Sequence, residues 1–202
     1  MASRAYAVVR MFEDAVAEYA GAPYAVAVES CTAALLLCCL WHKVGDVYLP
    51  AKTYVSVPQS VMHAGGKVHF EDREWAGVYQ LKPYSIWDGA KRFRPGMYEG
   101  GEHCLSFHVN KILNIGRGGM ILTADAEATA WFRKMRYEGR AGVSYAKERV
   151  ELCGYNAYMT PEQAARGLML LDALPPNPPD QTENYPDLRL HPLFADTAHA
   201  QA

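Results

Sequence analysis

The stretch YAVAVESCTAALLLCCLW, Tyr24 to Trp41, decides the fold. Its first five residues read as a short buried strand. Ser30 has the capping-type side chain that opens a helix, and CTAALLLCCLW continues as an apolar helix. A strand that turns directly into a helix is the building unit of an α/β domain.

Working outward, VVRMFEDAVAEYAG before it reads as an amphipathic helix closed by Gly21, with Val8, Phe12, Val16 and Tyr19 on one stripe. After it, DVYLP (46–50) is a strand and SVPQSVMHAGG a helix ending on glycines. KVHFED (67–72), YSIWD (84–88), CLSFH (104–108) and GMILT (119–123) are further strand candidates. ATAWFRKMRYEG (128–139) reads as a helix. So does the segment after Thr160, where T-P-E-Q combines an N-cap, a first-turn proline and a capping-box glutamine. The alternation predicts an α/β fold with a mainly parallel central sheet flanked by helices, in one domain over residues 1–174. The remainder, 175–202, holds 6 of the 12 prolines and little periodicity, and reads as an extended arm or a loosely ordered tail.

The totals exclude several classes. At 202 residues and 50% hydrophobic the chain can bury one substantial core, and a net charge of -2 gives no whole-protein attraction to nucleic acid. Between Asp88 and Arg149, however, 11 Lys or Arg face 7 Asp or Glu, a local balance that suits an anionic cofactor or substrate. The five cysteines form no CxxC pair or metal spacing, so no metal site is expected, and reduced thiols in the cytoplasm are. No apolar run approaches the roughly 20 residues of a membrane span.

In parallel sheets, ligands gather beyond the carboxyl ends of the strands. Ser30, Thr53, Tyr54, Asp88 and Lys111 all follow or end a strand candidate. In ESCTAALLL, the helix start offers free N–H groups beside hydroxyls, which is a phosphate site in physical terms and equally a plain N-cap. Asp88 caps a turn or keeps a pyridine nitrogen protonated. Lys111, in SFHVNKILNIGRGG, is a surface ammonium or an amine placed for a Schiff base.

Five motifs in one order remove much of that ambiguity: FEDAVAEYAGAPYAVAVESCTAAL, LPAKTYVS, WDGAK, SFHVNKILNIGRGG and GYNAYMTPEQAARGLMLL. From about Phe12 to Leu174 the chain resembles the DegT/DnrJ-type sugar aminotransferases, which depend on pyridoxal 5'-phosphate (PLP) and share the large-domain fold of aspartate aminotransferase. The resemblance implies that Lys111 forms the Schiff base with PLP and that Asp88 partners its ring nitrogen. It places Cys31, Thr32 and Ser106 at the phosphate and Tyr54 on the ring face. It also implies a homodimer with shared active sites, Asn156 reaching the phosphate of the neighbouring subunit.

The departures are specific. Cys31 replaces a glycine and should need backbone angles that glycine makes easy. Trp87 replaces a glutamate, Tyr158 an arginine, and Lys91 a glutamine. Lys91 could contact the cofactor as a cation or point to solvent. Family members are about twice as long, so the small domain is expected to be absent or reduced, and the site open unless a partner or the proline-rich arm covers it. The implied activity is transamination of a small or polymer-attached substrate. The alternatives are decarboxylation of an amino acid, free or carried on a larger molecule such as a modified phage nucleobase, and a non-catalytic PLP-fold binding protein.

Overall fold

The computed structural model describes residues 6–195, so the beginning of the expected segment 1–174 and the end of the expected segment 175–202 lie outside the described residues. Helix α1 (Ala7–Ala20) buries Val9, Phe12, Val16 and Ala20, and ends at Gly21, whose φ of 74° lets its N–H turn back to Ala17 and Glu18. Strand β1 (Tyr24–Val28) leads to α2 (Cys31–Trp41), and the Ser30 side chain accepts from the Ala33 N–H as its N-cap. Then follow β2 (Asp46–Pro50), α3 (Ser56–His63), β3 (Lys67–Glu71), β4 (Tyr79–Gln80), β5 (Ile86–Asp88), β6 (Glu102–Ser106) and β7 (Gly119–Thr123). Helix α4 (Ala126–Met135) is capped by Asp125, and α5 (Pro161–Leu171) carries the capping box between Thr160 and Gln163.

The main sheet has the order β1-β7-β6-β5-β4, and β2 pairs with β3 in parallel. A bridge between Tyr48 and Lys82 ties this pair to the chain just after β4. The α/β class with a helix-flanked sheet is as expected, but the sheet is more mixed than its sequence suggests. Strands β5 and β6 are parallel, whereas β7 runs antiparallel to both β1 and β6, and β4 antiparallel to β5. The cause is the connections. A tight turn reverses β4 into β5, whereas a 13-residue loop, 89–101, carries β5 to parallel β6 without a helix.

Two apolar clusters sandwich the sheet. Along β1, Val26 and Val28 face one with α2, α3 and α4, while Ala25 and Ala27 face the other with α1 and α5. This double burial is why the strand reads as unbroken apolar sequence. Among the described residues no helix is long and apolar enough to cross a membrane.

Residues 175–195 do not trail away. Asp180 takes a two-pronged ion pair from Arg92, with Nε–Oδ1 at 2.9 Å and Nη2–Oδ2 at 2.5 Å. The Gln181 N–H reaches the Lys91 carbonyl at 2.9 Å and the Leu188 N–H reaches Ala51 at 3.0 Å. Leu188 and Phe194 are buried in the α2–α4 core, Phe194 edge-on to Phe70. The arm is a docked strap laid across the strand ends.

Candidate active site

Three pieces of backbone converge at the carboxyl ends of the strands. The first is the start of α2. Its opening N–H groups lie beside the hydroxyls of Thr32 and Ser56, 2.8 Å apart. Cys31 is the first helical residue, and among the described non-glycine residues only Lys43 and Glu138 have positive φ. The expectation that Cys31 needs glycine-like angles is thus corrected: an ordinary helical residue suffices, and its buried thiol turns inward, 3.5 Å from the Cys104 carbonyl and 4.0 Å from Asp88. The glycine requirement sits instead on β7. A Cβ at Gly119 would lie 2.4 Å from the Ser30 carbonyl carbon and 2.6 Å from the Cys31 nitrogen, so only glycine lets β7 pass under this turn.

The second piece is the end of β5. Asp88 is buried at 4% exposure and accepts from the Ala90 N–H at 2.9 Å. Tyr79 stands directly opposite in β4, and its hydroxyl meets Thr53 Oγ1 at 2.5 Å. Burial pushes the Asp88 carboxyl above the usual carboxylate range, against the pull of Ala90, Tyr79, Lys111 and Lys91.

The third piece is the loop after β6. Phe107, Leu113 and Ile115 are buried in the α1–α5 core, and the Lys111 N–H closes a turn onto His108 at 2.9 Å. The anchored loop presents Lys111 half-buried. Burial first, and then the neighbouring Lys91 cation, lower its proton affinity, while Cys31, Asp88 and Glu183 oppose the shift. A lysine so placed has more free amine near neutral pH than an exposed one.

These pieces enclose one cavity of about 300 Å³, the lower end of ligand-pocket sizes. Of the residues singled out from sequence, Cys31, Thr32, Tyr54, Asp88, Lys91, Ser106 and Lys111 line it. Tyr54 is 55% exposed and stands at the mouth. Asn156 is not among the lining residues; it is exposed and donates to Glu138 at 2.9 Å. Lys91 points inward, buried at 5%, in an ion pair with Glu183. Of its two sequence alternatives, the one pointing to solvent does not match this burial.

The sequence reading missed Glu183 and Tyr185 of the arm, and Trp75, His108 and Arg117. Trp75 stacks on Tyr185 at 6.1 Å, so aromatic rings wall one side. Arg117, paired with Glu29 at 2.7 Å, stands at the rim. The arm residues lay in a segment with no periodicity to signal them. Arg117 was visible inside the glycine run GRGG, but as a departure from no chemistry already identified. Among the described residues no group of His, Cys, Asp or Glu could hold a metal ion.

The donor set fits a flat, phosphate-bearing pyridine aldehyde. A helix N-terminus with hydroxyls suits the phosphate, a buried carboxylate suits a ring nitrogen, and an amine with depressed proton affinity suits the carbonyl.

Comparison with known proteins gives a family. The profile of the DegT/DnrJ/EryC1/StrS aminotransferase family matches residues 2–87 and 96–189. Asp88 and Lys91 fall between those segments, so their place in the site rests on motif order and geometry. The spore coat polysaccharide biosynthesis protein SpsC of Bacillus subtilis (strain 168) is 25% identical, over 82% of this chain and 57% of that protein. Among solved structures, DesI, crystallised in the presence of its TDP-sugar product, superposes with a TM-score of 0.68 at 25% identity, over 82% of this chain and 53% of its own. PseC of Helicobacter pylori, an aminotransferase of pseudoaminic acid biosynthesis, gives 0.71 at 17%, over 82% and 57%. The aminotransferase TlmJ of Streptoalloteichus hindustanus gives 0.71 at 22%, over 82% and 58%. The chain spans little more than half the length of these relatives.

Proposed function

Since the chain belongs to the DegT/DnrJ/EryC1/StrS aminotransferase family, we propose that it is a PLP-dependent aminotransferase whose catalytic pair is Lys111 and Asp88. One observation carries the reading: an amine lowered in proton affinity and a buried carboxylate, from two different strand ends, line the same cavity beside a helix N-terminus.

Bound there, PLP supplies a carbonyl that condenses with amines and a ring that withdraws electrons from the bond being broken. The protein's part is distributed. The first N–H groups of α2, with Thr32 and Ser106, would hold the phosphate. Asp88, held by the Ala90 N–H, would keep a proton on the ring nitrogen. Lys111 offers Nζ as nucleophile, then as the base and acid that moves a proton at the substrate carbon. Tyr54, with Trp75 and Tyr185, would shield a bound ring from water.

The relatives point to an amino or keto group on a sugar as substrate. DesI was crystallised with a TDP-sugar product, and the rim arginine Arg117 suits an anionic carrier. The reaction is read as transamination; no observation favours the decarboxylase or the non-catalytic alternative. A homodimer follows from the same reading, with exposed Asn156 directed to the partner's site. Four buried free thiols and one exposed one suit a reducing cytoplasm.

The test is borohydride reduction of the protein after incubation with PLP, followed by peptide mass spectrometry. The expected result is a phosphopyridoxyl group on Lys111, lost in Lys111→Ala. A protein that takes up no label, or takes it only on surface lysines, would falsify the assignment.

A further inference from the structure

The cavity holds two amines, and their surroundings differ sharply. Lys91 is buried, donates to the Glu183 carboxylate, and has its ammonium 5.8 Å from the Tyr185 ring centroid. Lys111 has no ion-pair or hydrogen-bond partner for Nζ among the described residues. Both line the same 300 Å³ of space. A carbonyl compound entering it meets either nitrogen, and only a nitrogen with a free lone pair reacts.

We propose that Glu183, delivered by the C-terminal arm, selects between these two amines: by holding Lys91 in an ion pair it leaves Lys111 as the one that condenses with a carbonyl compound. Glu183 is a positioning residue here, acting through Lys91, and the inference rests on the reading of the cavity as a carbonyl site. The groups that face the pair come from every wall of the cavity. Asp88 stands at the end of β5, Cys31 at the start of α2, Lys111 on the loop after β6, and Glu183 and Tyr185 on the arm. Glu183 itself stays ionised, because the contact with Lys91 holds its carboxyl below the usual range, helped by Tyr185. The arm is locked in place independently of this contact by the Arg92–Asp180 pair, for which Gly77 leaves the room: a Cβ there would meet Asp180 Oδ2 at 2.2 Å.

The chemistry balances without any outside oxidant. The free Nζ adds through its lone pair to the carbonyl carbon. Its two hydrogens leave with the carbonyl oxygen as water, and a C=N bond remains. Cyanoborohydride then delivers hydride to the carbon while solvent supplies the proton to nitrogen, which fixes the site as a stable secondary amine.

The experiment is limited reductive methylation of the full chain with formaldehyde and cyanoborohydride, from about pH 6 to about pH 10 to span the lysine range. Rates at Lys91 and Lys111 are read by peptide mass spectrometry against exposed Lys67. The native protein should methylate Lys111 ahead of Lys91. Glu183→Gln should raise the Lys91 to Lys111 ratio by about fivefold, the upper end for a half-exposed ion pair. Glu183→Asp should restore most of the native order. Lys111 labelling in the same digest reports that the cavity is intact. Equal labelling of both lysines in the native protein overturns the proposal, and so does an unchanged ratio in Glu183→Gln. Formaldehyde needs no cofactor site, so a protein that keeps this order yet fails to take up PLP sinks the proposed function alone.

Discussion

Replacing Gly119 by alanine adds one methyl group where β7 crosses under the turn from β1 into α2. The new carbon would sit 2.4 Å from the Ser30 carbonyl carbon, 2.5 Å from its oxygen and 2.6 Å from the Cys31 nitrogen. Carbon atoms in contact prefer about 3.5–4.0 Å, so each approach is short by about 1 Å or more. All three atoms are backbone, and no side chain can swing aside. Relief requires β7 to separate from β1, with which Gly119 pairs at Val28, or the start of α2 to tilt. Overpacking a well-filled interior costs about 1–3 kcal/mol, and a clash with three backbone atoms belongs at the top of that range. Urea unfolding at equilibrium should therefore show a loss of about 3 kcal/mol. PLP or inorganic phosphate binding should weaken as well, because the displaced N–H groups are those of the cofactor end. Gly116→Ala is the control. Its φ of 95° is strained for alanine but nothing lies within 4 Å of the new Cβ, so the cost should be about 1 kcal/mol. A Gly119→Ala protein within 1 kcal/mol of native would refute the close approach and with it the geometry of the phosphate end.

Two further predictions concern the buried carboxylate and the arm. The Asp88 carboxyl has its proton affinity raised by burial, so the stability it contributes is present below the ordinary carboxylate value and is lost as pH rises through its folded value. Asp88→Asn should accordingly gain stability relative to the native protein between pH about 4 and neutrality, and a difference in urea midpoints that ignores pH would contradict the burial argument. Phe194 is 1% exposed and packs against Phe70, so Phe194→Ala should cost about 3 kcal/mol, read as a fall in thermal midpoint of about 6–12 °C. A fall of about 1–2 °C would mean that the arm's end contributes little to the folded protein.

How legible each part was in the sequence follows from the range of the interactions that hold it. The β1–α2 unit and the start of α5 depend on local signals, an apolar run with Ser30 and the Thr160–Gln163 box, and both appear where expected. Strand β6 was expected over 104–108 and lies at Glu102–Ser106. Its first two residues are polar yet buried, Glu102 being satisfied by His42 at 2.6 Å from across the core, which no pattern in the strand announces. The reversal of β7 was invisible because pairing direction is set by where a strand's neighbours come from. Between the two expectations for 175–202, an extended arm or a loose tail, no local pattern could choose, because its holds, Arg92–Asp180, Leu188–Ala51 and Phe194–Phe70, join residues far apart in the chain. Proline-rich sequence with no period can still dock when distant partners are waiting.

The site itself was legible because its parts are local devices, each set at a strand end, whereas the tuning of those parts is tertiary. Lys111 could be found from its motif, but its lowered proton affinity comes from burial and from Lys91, twenty residues earlier in the chain. Asp88 could be found in the same way, but it is burial that raises it. The two shifts run toward the uncharged forms, which makes the pair electrostatically costly in the empty fold and responsive to any ligand that brings a cationic ring nitrogen to the acid and a carbonyl to the amine. A scaffold selected only for stability would have no reason to bury both. That the arm then adds Glu183 beside the second lysine keeps the count of acids and amines in the cavity even, two of each, with only one amine left unpaired. On the proposed reading, the asymmetry between the two lysines, more than the presence of either, would direct one covalent partner to one nitrogen.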